Sequence, residues 1–179
     1  MKAQITYGTV YGSTERYAKK LGELTGLPVT NYEEVTNLDQ TELLIHFGGL
    51  HAGGVLGLKK MAALLPKEAT LLLVTVGLVD VTDTDNITMT RKMVKIQLPK
   101  ERYHEENLFH LRGAIDYERL TPKHRAIMNS LYRSLRLIPK GKRSARDRIV
   151  IDTYNTKADF VDFDALTPIL DAIKKFKNA

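Results

Sequence analysis

The sequence contains no cysteine and no tryptophan among its 179 residues. The lack of cysteine excludes disulfides, thiolate catalysis and cysteine-ligated zinc or iron–sulfur centres, so any redox chemistry must come from a bound organic cofactor. No apolar run approaches the roughly 20 residues that a membrane-spanning helix needs, and the first residues lack the pattern of a signal peptide. We therefore expect a single cytoplasmic domain over residues 1–179.

The sequence also lacks the patterns of a metal site or a hydrolytic site. Its five histidines show no ligand spacing on one helix face, and no nucleophile–base pair can be identified. The acidic run at residues 80–85 fails as an EF-hand, because Thr88 and Val94 stand where glycine and glutamate are needed. We predict no metal, leave the catalytic residues unassigned, and interpret Asp83 and Asp85 as part of a polar turn that caps the next helix.

Apolar runs alternate with helical patterns along the chain, which predicts an α/β fold. The pattern favours a doubly wound, five-stranded parallel sheet of order 2-1-3-4-5 with helices on both faces. The near-continuous apolar run at residues 70–76 should be the buried centre of this sheet. The predicted strands cover residues 3–7, 28–31, 43–47, 70–76 and 107–112, with a strand remnant at 148–152, and the later predicted helices cover 55–65, 87–98 and 163–176.

The first strand runs into a hydroxyl-rich turn that is followed by a helix. Backbone N–H groups at a helix start, together with the hydroxyls of Thr9, Ser13 and Thr14, provide the donors of a phosphate site. The turn has no lysine and fits neither the P-loop nor the dinucleotide fingerprint, so a small phosphate monoester such as that of FMN remains. The alternative is an ordinary turn in which residues 12–14 only cap the helix.

This turn, Thr9-Val10-Tyr11-Gly12-Ser13-Thr14, resembles the first loop of flavodoxins, which reads roughly [TS]-x-T-G-x-T after strand one. Tyr11 replaces the usual central threonine and leaves only its backbone N–H as a donor. The resemblance implies that FMN is the cofactor and that its phosphate is bound by Thr9, Tyr11, Gly12, Ser13 and Thr14.

Two further loops follow strands three and four, where a sheet of this order binds its ligand. The loop at residues 48–54 contains four glycines, which let a flat ligand approach the backbone. In flavodoxin-like proteins this loop borders the flavin ring, which implies ring contacts from Gly49, Leu50, His51 and Gly53. By position the loop after strand four resembles the third flavin loop and adds Gly77 and Leu78, without the ring-stacking aromatic that is usual in flavodoxin carriers. A surface loop with an incidental histidine is the alternative for His51.

The positive charge is concentrated late in the chain. Residues 119–148 contain ten basic residues and one acid, a net charge of +9 in a chain whose total is +6. An amphipathic helix is predicted here, with Thr121 and Pro122 at its start. An anionic membrane surface or an acidic protein is a candidate partner, packing on its own domain is the alternative, and nucleic acid is disfavoured.

The run at residues 113–117 and the late basic insertion, at about residues 117–148, resemble the flavodoxin-type, menaquinone-dependent protoporphyrinogen oxidases. This resemblance implies an FMN-dependent oxidoreductase that passes electrons between a reduced substrate and a quinone-type acceptor, with protoporphyrinogen as a candidate substrate. A location at the inner face of the membrane would suit it. A flavodoxin-like electron-transfer protein that serves a protein partner is the alternative, and a cofactor-free interaction module is a further one.

Overall fold

The computed structural model describes residues 2–51 and 54–178. The sheet contains the strands β1 (Ala3–Gly8), β2 (Val29–Asn31), β3 (Leu43–His51), β4 (Gly54–Val55), β5 (Thr70–Gly77) and β6 (Leu108–Arg112). Five of them are parallel, in the order β2-β1-β3-β5-β6, and β4 pairs only with β3. Without β4, this order is the predicted one. The doubly wound fold class is therefore confirmed.

The centre of the sheet is β3, not the run at residues 70–76 that the sequence analysis placed there. β3 pairs in parallel with β1 on one side and with β5 on the other. β5 lies between β3 and β6, so it is also hydrogen-bonded on both edges, and this position explains why its sequence is as apolar as that of a central strand.

The described residues form six α-helices. They are α1 (Ser13–Thr25), α2 (Leu58–Leu64), α3 (Thr84–Gln97), α4 (Pro122–Arg136), α5 (Ala145–Asp152) and α6 (Thr167–Lys177). Helix α2 starts three residues later than predicted, because Val55 belongs to β4, which turns back antiparallel on the end of β3. None of these helices combines the length and the apolar character needed to cross a lipid bilayer.

Two apolar clusters pack the helices onto opposite faces of the sheet. Along β3, Ile45 and Phe47 point into the cluster that contains Tyr17 of α1 and Ile169 of α6. Their neighbour Leu44 points to the other face, where α2 and α3 pack. The alternation follows from the two-residue period of a strand.

The insertion after β6 differs from its prediction at one element. Residues 148–152, predicted as a strand remnant, belong to helix α5. Ser144 and Asp147 form a reciprocal capping box that starts this helix, and the box overrides the β-branched run that follows. The strand that precedes the last helix is β8 (Lys157–Asp159), which pairs antiparallel with β7 (Ala114–Asp116).

Candidate functional site

The candidate site begins at the end of β1, where the chain turns sharply into α1. Gly12 is the N-cap of α1, with φ of +87° and ψ of −17°, and it provides no side-chain cap. Ser13 and Thr14 lie inside the first turn of the helix and are almost fully buried. The helix therefore begins at Ser13, and its cap residue Gly12 offers no side-chain oxygen to the first N–H groups.

The first turn of α1 has backbone N–H groups available for a ligand. The first N–H groups of any helix have no partner within the helix, and together with the helix dipole they favour an anion. The Gly12 N–H donates to the Thr9 hydroxyl at 2.9 Å, which leaves the proton of that hydroxyl free to donate outward. A Cβ atom at Gly12 would meet nothing within 4 Å, so Gly12 itself borders open space.

The other predicted loops converge on this turn. A Cβ atom at Gly49 would lie 3.3 Å from the Thr14 hydroxyl, and one at Gly77 would lie 2.8 Å from Leu50. The loop after β3 therefore touches α1 with its backbone, whereas its Leu50 side chain covers the end of β5. The carboxyl ends of β1, β3 and β5 thus lie side by side at the edge where a sheet of this order binds its ligand, and we call this edge the crevice.

Two of the predicted site residues stand apart from the phosphate turn. His51 is exposed at the end of β3, where it pairs with Gly54 of β4. Leu78 packs against the small cluster of Ile115, Tyr117 and Leu120 instead of facing the turn. Gly53 lies outside the described residues.

Gly113 belongs to the site, although the sequence analysis did not assign it. A Cβ atom at this position would lie 2.8 Å from the Ser13 hydroxyl and 3.0 Å from Val76. The Gly113 N–H donates to the Gly77 carbonyl at 2.7 Å, which ties the end of β6 to the end of β5. Its position directly after an apolar strand, like that of Gly8, Gly48 and Gly77, was the available signal.

Tyr117 is a second residue that the sequence analysis did not assign to the site. Its ring is buried and packs beside Leu78, and its hydroxyl is buried without a hydrogen-bond partner among the described residues. Burial, followed by the electrostatic effects of Tyr154 and Tyr11, raises the pKa of Tyr117 to about 12. The hydroxyl therefore stays protonated at neutral pH, and its proton has no acceptor among the described residues.

A buried histidine supports the crevice from below. His46 contacts the Thr6 hydroxyl through Nδ1 and the Leu56 carbonyl through Nε2, both at 2.9 Å. A carbonyl can only accept, so Nε2 carries the proton and Nδ1 accepts from Thr6. Burial lowers the pKa of His46 to about 4, against a smaller opposing effect of the Leu56 carbonyl. This neutral ring joins β1 and β3 to the segment that follows β4.

The polar turn after β5 caps helix α3, as the sequence analysis predicts. The Asp83 side chain accepts from the N–H groups of Asp85 and Asn86 and so caps helix α3. Asp80 accepts from the backbone and hydroxyl of Thr82, and these bonds hold its pKa below the ordinary value. The carboxylates of this turn are thus engaged in shaping the loop.

Comparison with known proteins shows the family of the chain. A model of the flavodoxin domain matches residues 4–136, from β1 to the end of α4, which is well over half of the chain. The chain belongs to the flavodoxin domain family. Among solved structures, the chain is similar to a mutant of flavodoxin from Pseudomonas aeruginosa, with 20% identity over 75% of this chain and 96% of that chain and a TM-score of 0.39. No match to a curated protein is found.

The residues of this flavodoxin domain fit a flavin phosphate in three respects. The N-terminus of α1 is uncapped, the space before Gly12 is open, and the hydroxyls of Thr9 and Thr14 lie at the same turn. Lysine and arginine are absent from residues 8–14, so the donors here are neutral N–H and O–H groups.

Proposed function

We propose that this flavodoxin domain binds one FMN non-covalently and acts as a redox protein. The observation that carries the proposal is the uncapped start of α1, which faces open space at the crevice where β1, β3 and β5 end. An anion there would receive N–H donors and the positive end of the helix dipole. Flavin binding also fits the membership of the chain in a family whose members bind flavin, usually FMN.

The residues of the crevice have separate tasks in this proposal. The first-turn N–H groups of α1 and the hydroxyls of Thr9 and Thr14 bind the phosphate. Gly49 and Gly77 let the ends of β3 and β5 lie close to Thr14 and Leu50, and Leu50 and Leu78 provide apolar surface for a flat ring and exclude water. When bound, FMN supplies the electron-transfer chemistry, and the protein supplies position and electrostatics.

We propose further that the domain is an oxidoreductase that passes electrons from a reduced substrate to a quinone-type acceptor. The described residues of the loops after β3 and β5 contain no tryptophan, tyrosine or phenylalanine, so Leu50 and Leu78 are their large apolar groups. An aliphatic border leaves a ring face accessible to a flat organic molecule, whereas a stacked aromatic side chain would cover it. Protoporphyrinogen is the substrate candidate, on the sequence resemblance at residues 113–117.

The alternative is an electron carrier for a protein partner, and anaerobic kinetics separate the two functions. Purified protein loaded with FMN is mixed with protoporphyrinogen, and then with a water-soluble menaquinone analogue, while flavin absorbance is followed. Bleaching by the first reagent and recovery with the second, without another protein, support the enzyme. Inertness to both reagents, with turnover only when a flavoprotein reductase is added, supports the carrier and overturns the enzyme.

A further inference from the structure

Helix α4 has an apolar arc that its own domain covers only on one side. None of its fifteen residues is buried. On the inner side Met128 packs near Tyr117, and Tyr132 stacks on Tyr154 with ring centroids 3.7 Å apart. On the outer side Ile127 and Leu131, one turn apart, are 51% and 37% exposed. The outer side of the arc is therefore only partly covered by its own domain.

The exposed apolar surface continues from α4 onto the phosphate turn. His124 lies one helical turn before Ile127, and its ring meets that of Tyr11 edge-on with centroids 5.9 Å apart. Tyr11 is itself 41% exposed, and Leu137 at the end of α4 is 85% exposed. We name this row the outer stripe; it consists of Tyr11, Ile127, Leu131 and Leu137.

Basic side chains accompany the outer stripe, and α4 itself has no acidic residue. Lys123 lies one turn before Ile127, and Lys140, Lys142 and Arg146 follow the helix; all four are exposed and make no ion pair with the described residues. They are therefore free to meet an external negative charge.

Other basic residues of the insertion have structural tasks instead. Arg125 donates to the Tyr117 carbonyl, and Arg143 donates to the carbonyls of Ile138 and Arg136. A test of surface charge must leave these two arginines in place, because their exchange would disturb the insertion itself.

We propose that the outer stripe docks in the interface of a lipid bilayer that contains anionic phospholipids. Such a bilayer provides an apolar layer beneath a negative headgroup layer, which matches an apolar row accompanied by unpaired lysines and arginine. A second copy of the chain fits this surface poorly, because it would bring the same concentrated positive charge. Docking places Tyr11, and with it the mouth of the crevice, at headgroup level. The inference goes beyond the proposed function, and its test needs no flavin.

The test is co-sedimentation of the full chain with vesicles at low salt. Vesicles of phosphatidylcholine alone are compared with vesicles of equal parts phosphatidylcholine and phosphatidylglycerol. We expect binding to the second kind only, and a loss of binding as salt rises. Absence of binding to either kind, or equal binding to both, overturns the proposal.

The apolar contribution is tested by paired substitutions. The double variant Ile127→Asn and Leu131→Asn is compared with Leu24→Asn and Ile96→Asn, which alters two exposed apolar residues elsewhere on the domain. We expect vesicle affinity to fall about tenfold or more for the first pair and to change less than about twofold for the second. Equal losses for the two pairs overturn the proposal, and melting curves check that each variant is folded.

The charge contribution is tested in the same way. Lys140→Gln, Lys142→Gln and Arg146→Gln together are compared with Lys59→Gln, Lys92→Gln and Lys175→Gln, which lower the net charge equally. We expect a loss of about fivefold per charge for the first set and much less for the second. If both sets of variants lose vesicle affinity alike, the vesicles attract the positive charge of the whole protein, and the proposed docking site is wrong.

Two further outcomes would assign the outer stripe to a protein partner and overturn the proposal. One is binding to an acidic polypeptide such as polyglutamate without binding to vesicles. The other is self-association of the free protein.

Discussion

The Tyr11 ring of the phosphate turn meets the His124 ring of α4 edge-on, with centroids 5.9 Å apart and planes at 75°. Tyr11 is the residue that departs from the usual loop pattern of flavodoxins, and its contact is with the basic insertion. The insertion is thereby joined directly to the candidate cofactor site.

This contact predicts an energetic coupling between the turn and α4. Tyr11→Leu and His124→Leu, singly and together, should give a coupling energy of about 0.5 kcal/mol in the free energy of unfolding, at the low end for aromatic pairs because Tyr11 is partly exposed. Urea unfolding measures the cycle. Strict additivity of the two single effects would show that the rings touch without stabilising each other.

Gly12 and Gly26, at opposite ends of α1, form a matched pair for a test of the phosphate turn. Both have positive φ, +87° and +71°, and a Cβ atom at either position meets nothing within 4 Å. Gly12→Ala and Gly26→Ala should therefore each cost about 1 kcal/mol of stability through backbone strain. Only Gly12→Ala should weaken FMN binding, by about tenfold, since it alters the anion-binding end of the helix. Equal FMN affinities for the two variants would contradict the site.

Gly113 and Gly141 form a second pair, in which crowding is tested instead of strain. An alanine at Gly113 would press on the Ser13 hydroxyl at 2.8 Å, whereas an alanine at Gly141 would meet nothing within 4 Å. Gly113→Ala should lower the free energy of unfolding by about 1 to 3 kcal/mol and weaken FMN binding, and Gly141→Ala should do neither. Adding Ser13→Ala to Gly113→Ala should recover part of the stability. Failure of this rescue would show that the close approach to Ser13 is not the cause.

Most of the sheet and the first turn follow from sequence, because their signals are local. The strands of the sheet and the Thr121–Pro122 start of α4 were readable from patterns within a few residues, and the Thr121 side chain accepts from the His124 N–H. The strand order follows from the βα alternation along the chain, and the phosphate turn stays a prediction. The prediction of a strand at residues 148–152 was wrong. β-Branched side chains favour a strand only where no helix start signal precedes them, and here a capping box starts a helix.

The position of Gly113 after an apolar strand was readable, but the contacts of Gly113 and Tyr117 were not, because these contacts form across the chain. Gly113 is distinguished by its approach to Ser13, and Tyr117 by a buried hydroxyl without a partner among the described residues. No pattern around either residue reports which distant groups will face it. The centre of the sheet was misplaced because the longest apolar run was taken as central, although the predicted order 2-1-3-4-5 itself puts the third strand in the middle, as the structure does.

The buried His46 predicts a loss of stability in mild acid. Its pKa is about 4 in the fold against about 6.5 in an unfolded chain, so the unfolded state binds the proton first. The neutral His46 ring thus contributes about 3 kcal/mol to the free energy of unfolding. This stabilisation is complete above pH 6.5 and declines as the pH falls towards 4. Burial, and then the charge of Arg91, also lower the pKa of His110 to about 4, so this ring acts in the same direction.

Urea unfolding between pH 7 and pH 4.5 measures this decline, and the difference between the natural chain and His46→Gln isolates the contribution of the one ring. Nitrogen chemical shifts of the natural chain provide an independent readout if the variant does not fold. A His46 ring that titrates near pH 6.5 in the folded protein would contradict the buried, hydrogen-bonded arrangement.

The comparison of FMN with riboflavin tests the central claim most directly, because the two ligands differ only in the phosphate. Both are titrated into the flavin-free chain while flavin fluorescence is followed. Charge-assisted hydrogen bonds contribute about 1.5 to 3 kcal/mol each, so an anion bound at the start of α1 should make FMN bind at least about a hundredfold more tightly than riboflavin. Equal affinities for the two ligands, or no binding of FMN, would contradict the account.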